Sequence, residues 1–92
     1  MILVRRVVGD SMLPTLPAGT IVVALKSPIR IVPGTIVIVW HEGREKIKRV
    51  HAVEGARVYL LGDNPAASTD SRTFGWLNQD AVLGRVWWPR GW

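Results

Sequence analysis

The chain has 92 residues, enough for one domain and too few for a second core. Hydrophobic residues make up 48% of it, which argues against disorder, and the absence of cysteine excludes disulfides, a thiol nucleophile and a Cys-ligated zinc. A net charge of +5 and a pI near 10.8 raise polyanion binding, but the basic residues are scattered from Arg5-Arg6 to Arg90 and build no recognised basic motif.

Read in chain order, β signals dominate. Residues 2–8 are apolar and β-branched, broken only by Arg5-Arg6. Two similar phrases follow, Pro17-Ala18-Gly19-Thr20-Ile21-Val22-Val23 and Val32-Pro33-Gly34-Thr35-Ile36-Val37-Ile38. In each, Pro and Gly make a turn and a β-branched run starts a strand, which predicts two neighbouring strands entered by similar turns. Trp40-His41-Glu42-Gly43-Arg44 has the polarity and the glycine of a hairpin loop. Residues 46–53 and 57–61 read as the next strands, 63–76 as a long loop, and 81–88 as a closing strand; a loop of that length in a compact domain points to function. No window predicts a long helix, only turns near 11–16 and 78–81. The expected fold is mostly β, a small coiled antiparallel sheet with a barrel-like shape.

The longest apolar runs, 21–25 and 35–40, fall far short of the ~20 residues of a spanning helix. Arg5-Arg6 and Asp10 interrupt the N-terminus before the hydrophobic stretch of a signal peptide forms. A soluble, cytoplasmic protein is expected, with peripheral membrane contact left open by the terminal Trp87-Trp88-Pro89-Arg90-Gly91-Trp92. The other reading of Trp87 or Trp88 is core packing. His41 and His51 lack metal-site spacing, so no metal and no other cofactor is expected.

Three segments carry chemistry. The first is Gly9-Asp10-Ser11-Met12-Leu13-Pro14-Thr15-Leu16, where Gly9 permits close backbone approach and Pro14 fixes where the chain turns. A serine on such a mount is a nucleophile only with a base beside it. The second is Glu45-Lys46-Ile47-Lys48-Arg49-Val50. Free lysine has a pKa of ~10.4 and base work at neutral pH wants roughly 7–8, a gap that burial in an apolar site can close. Strand alternation puts Lys46, Lys48 and Val50 on one face, so periodicity does not choose between the two lysines. The third is Gly62-Asp63-Asn64 followed by Ser68, Asp70, Ser71 and Arg72, far more polar than a plain connection requires.

In order and spacing these segments resemble the signal peptidase I family, over Gly9 to about Val86. The resemblance implies the catalytic-core fold of that family and a serine endopeptidase with a Ser-Lys dyad. Ser11 would be the nucleophile and Lys48 the base, because Lys48-Arg49-Val50 is similar to the family's Lys-Arg-hydrophobic phrase. Ser68 would orient the lysine, with Asp70 and Arg72 paired behind it. It also implies a peptide substrate with small residues at the first and third positions before the cut, bound by residues around Val7, Val8, Gly9, Met12, Lys46 and Ile47. Gly9 stands where some members carry a serine that adds an oxyanion donor, leaving that work to backbone N–H groups. The family's hydrophobic anchor has no counterpart in the sequence. The phrase from Asn64 to Gly75 is most similar to the maturation proteases of nickel-type superoxide dismutase. Two other readings compete: a self-cleaving repressor-type protease, which fits poorly with only ten residues before Ser11, and a small basic β-module that binds nucleic acid or protein without catalysis, with nucleic acid disfavoured by the scattered charge.

Overall fold

In the computed structural model, residues 1–26 and 30–89 are described. Seven strands form, β1 (Ile2–Arg6), β2 (Ile21–Leu25), β3 (Ile36–His41), β4 (Arg44–Glu54), β5 (Arg57–Leu61), β6 (Leu77–Asn78) and β7 (Val82–Trp88). They make one sheet in the order β1-β2-β7-β3-β4-β5-β6, with every pair antiparallel. The mostly β fold expected from the sequence is the one observed.

The β3–β4 hairpin turns on Glu42 and Gly43, at φ 50 and 76°. Two consecutive left-handed residues match the right-handed twist of the flanking strands, and glycine takes the second position without strain. The turns before β2 and β3 are alike, with Gly19 at φ 91° and Gly34 at φ 93°. The strands they start are not neighbours, however: β7 lies between them and pairs with both. The repeat fixes how each strand is entered, whereas adjacency depends on a segment some fifty residues later.

Both faces of the sheet's centre are covered, so β3 reads as a continuous apolar run rather than an alternating one. Val7, Met12, Leu16, Val22, Ala24, Ile36, Ile38 and Val86 fill one side. Val37, Val39, Val50, Val58 and Leu60 fill the other. The sheet curls, bringing edge strand β1 across from β4, where Arg5 and Glu45 form a bidentate ion pair at 2.7 and 3.1 Å.

The 63–76 segment is not a plain loop. It holds a short 3-10 turn, Pro65–Ala67, and one turn of helix, α1 (Ser71–Phe74), capped by the Asp70 carboxylate on Arg72 N–H. Among the described residues, no helix is long and apolar enough to cross a membrane.

Candidate active site

β4 is paired on two sides in succession. Residues from Arg44 to Arg49 pair with β3, and those from Arg49 to Glu54 pair with β5, with a bulge between Val50 and Ala52. Val50 donates its N–H to Thr35 and accepts from Gly34 N–H, each at 2.8 Å, both on the β3 side. Strand alternation then turns the backbone groups of Lys48 and Lys46 toward β3 and those of Ile47 and Glu45 outward. That outward edge and the chain leading from β1 to Ser11 line the two sides of one cleft, which Ser11 and Lys48 both face.

The Ser11 turn is pinned from beneath. Met12 and Leu16 are each buried in the core, and Leu16 N–H bonds Met12 C=O at 2.8 Å. Gly9 sits at φ 77° with nothing within 4 Å of where a Cβ would be, so its left-handed backbone and not close approach explains the glycine. Asn64 N–H donates to Ser11 C=O at 2.8 Å and Asn64 Nδ2 to Asp10 C=O at 3.0 Å. Thr15 Oγ1 donates to Asp63 Oδ2 at 2.6 Å. Asp63 also takes both arms of Arg49, at 2.9 and 2.8 Å, so one carboxylate ties the serine turn to the residue after Lys48. The Arg49 hydrogen bond, supported by Thr15, holds the Asp63 carboxyl below the usual range against the opposing effect of burial.

Lys48 is 5% exposed. Burial lowers its pKa, with Lys46 and Arg72 adding to the effect and only Asp70 opposing it. Its Nζ donates to Ser68 Oγ at 3.3 Å, and Ser68 Oγ donates to Asp70 Oδ2 at 2.8 Å. Since the serine's single proton goes to Asp70, its oxygen receives from the lysine. A neutral amine so held keeps its lone pair free. The lysine's hydrogen bond goes to Ser68, not to Ser11.

Asp70 is almost fully buried. Burial works against its ionisation, but Arg72 Nε and Nη2, Gly62 N–H, Ser68 and Arg72 N–H together outweigh it and hold the carboxyl well below the usual range. Gly62 is the point against which these parts close. A Cβ there would overlap Ser68 Oγ and lie 2.6 Å from Ser68 Cβ and 2.8 Å from Ser11 C=O.

Lys46 is in a different setting. Its Nζ lies 2.9 Å from His41 Nδ1 and 4.9 Å from the centre of the Phe74 ring, on which His41 also packs. Of the residues expected to touch substrate, Val8, Gly9, Lys46 and Ile47 line the cleft. Val7 and Met12 line it too, but their side chains belong to the core, at 3% and 1% exposure, and the N–H and C=O of Val7 are both bonded to Thr20 and Gly19 of the turn before β2. The core reading of the tryptophans fails: Trp87 and Trp88 are about half exposed, because a register shift in the β2–β7 pairing turns that end of the strand outward. Trp92 lies outside the described residues. Among the described residues no group of His, Asp and Glu is gathered as a metal site.

Sequence reasoning gave no individual role to Thr15, Arg49, Asp63, Asn64 or Gly62. The signal was present in the Gly62-Asp63-Asn64 triplet and in Arg49, but their partners lie up to 54 positions away. No curated protein matches the chain. The model of the family described as Peptidase S24-like matches residues 2–87, nearly the whole domain and all of the cleft, and this chain belongs to that family of serine peptidases.

Proposed function

We propose that the protein is a serine endopeptidase in which Ser11 is the nucleophile and Lys48 the general base, and that it cuts a separate peptide chain lying extended in the cleft. The observation that carries this reading is the state of Lys48: buried, with a lowered pKa, and aimed by a hydroxyl whose own proton is committed to Asp70. A carboxylate in the place of Ser68 would raise the lysine's pKa; a hydroxyl orients it without doing so.

The peptide adds as a strand, using the outward backbone groups of Glu45 and Ile47 and the chain before Ser11. Lys48 takes the Ser11 proton as Oγ attacks the scissile carbonyl. The tetrahedral oxyanion is met by Ser11 N–H, and Lys48 returns the proton to the departing amine. Water then enters, gives its proton to Lys48 and attacks the acyl-enzyme; Lys48 passes that proton to Ser11 Oγ as the new carboxyl terminus leaves, which restores both groups. Among the described residues no strand of the chain itself pairs along the outer edge of Arg44–Lys48, which favours a separate substrate over self-cleavage.

Removal of a leader or signal-type peptide fits the order of the three motifs, and the likeness over residues 64–75 makes a nickel superoxide dismutase precursor the first substrate to try. The test is mass spectrometry of a mixed peptide library and of that precursor after incubation with wild type, Ser11→Ala and Lys48→Ala. Cleavage by wild type only, with a loss of about 10⁴-fold or more in each variant, is expected. Cleavage that survives in Ser11→Ala overturns the dyad.

A further inference from the structure

We infer that the end of the cleft away from Ser11 is a subsite for an acidic side chain of the substrate, read by Lys46 with Arg44 and Arg6. The inference rests on the cleft being the peptide site of the preceding section and names a property of the peptide that the dyad does not fix.

Five basic side chains line the cleft, but they are not equivalent. Arg5 is matched by Glu45 in a bidentate ion pair. Lys48 is buried and tied into the Ser68–Asp70 chain. Arg6, Arg44 and Lys46 remain, and among the described residues none of them forms an ion pair. Arg6 and Arg44 are exposed. Lys46 is half-buried and fixed, with its ammonium on His41 Nδ1 and over the Phe74 ring. One N–H spent on His41 leaves two for a ligand, and a cation ordered in advance loses less on binding than a free surface lysine. Glu42 approaches the same His41 nitrogen at 3.4 Å from the solvent side and makes no ion pair with Lys46.

The charge is graded along the cleft. Asp10 stands beside Ser11, so the catalytic end carries the one carboxylate not already paired, and the unmatched cations lie at the other end. Lys46 shares the face of Lys48 two residues away, and Arg44 lies two further on. At a strand rise of ~3.3 Å per residue these are steps of roughly 7 and 13 Å. An extended peptide advances at the same rate, so the acidic residue belongs two to four positions from the scissile bond and not next to it.

The experiment uses Ser11→Ala, which binds without turnover, and a set of fluorescent peptides in which one Glu replaces Gln at each of the five positions on either side of the cut. Glu two to four residues from the cut on one side is expected to tighten binding about 10-fold, with the gain shrinking as salt rises. Adding Lys46→Glu or, on the exposed hairpin, Arg44→Glu removes the gain and transfers it to peptides with Lys in that position. The inference is overturned if no Glu peptide binds more tightly than its Gln parent, or if both charge reversals leave the preference unchanged. Cleavage by the wild type is followed in parallel. Acid-selective binding without any cleavage sinks the protease reading and keeps the subsite; cleavage indifferent to the acid does the reverse.

Discussion

The two halves of β4 are continuous backbone with opposite fates. The second half, beyond Arg49, pairs with β5 and carries an exposed His51 that meets the Tyr59 ring edge-on, at 6.2 Å. The first half pairs with β3 alone and opens its other edge to the cleft, with Lys48 buried at its end. Past the bulge at Val50–Ala52 the strand is an ordinary sheet member. The candidate catalytic side chains gather where pairing stops. Arg49, paired with both Ile36 and Leu61 and clamped to Asp63, is the joint between the two regimes.

That contrast can be broken from behind the first half. Asp70→Asn removes the charge that collects Gly62, Ser68 and Arg72, and should destabilise the fold by about 3 kcal/mol in denaturant unfolding. The carboxyl's pKa is depressed in the fold, so its contribution is present above its ordinary value of 3.8 and is lost as pH falls toward the depressed one; the Asn variant should lack that acid-side loss. Gly62→Ala pushes Ser68 and the Ser11 carbonyl apart. It should lower kcat/KM by about 10²-fold, at a stability cost of roughly 1–3 kcal/mol. Lys48→Met should be inactive yet more stable than wild type near neutral pH, by on the order of 1 kcal/mol. The folded lysine has a lowered pKa, so it binds fewer protons than the unfolded one below 10.5, and wild-type stability rises with pH through that window. The gap between the two proteins should therefore narrow toward pH 10. Arg57→Ala, in the β5 hairpin, removes an exposed Glu54 pair and a cation–π contact with Trp76 and should change stability by no more than about 1 kcal/mol and activity not at all. A large effect there would erase the difference between the halves.

Much of this was legible in the residues. The strand at 57–61 appears with the predicted bounds, and the Glu42-Gly43 turn follows from local chemistry alone. The Ser68–Asp70–Arg72 cluster is compact in sequence, and the side-chain contacts within it each span two residues. What was hidden is long-range. The two-residue β6 carries no periodicity to detect. The insertion of β7 between β2 and β3 cannot be read from either strand. Val7 and Met12 look like cleft residues until the curl of the sheet turns their side chains inward. Parity makes Lys46 and Lys48 equal and the family phrase alone separated them; their different surroundings, one half-buried beside His41 and the other nearly sealed, come from the segment folded over them.

An unpaired strand edge is also a hazard, because on an open sheet it invites another copy of the same protein to pair and the process repeats into aggregates. Here the free edge of β4 looks inward across a gap spanned by the Arg5–Glu45 ion pair, with β1 as the opposite wall. With its two walls tied by that ion pair, the edge is not presented along an open sheet. The geometry that we propose receives a peptide thus also screens that edge from other copies of the protein.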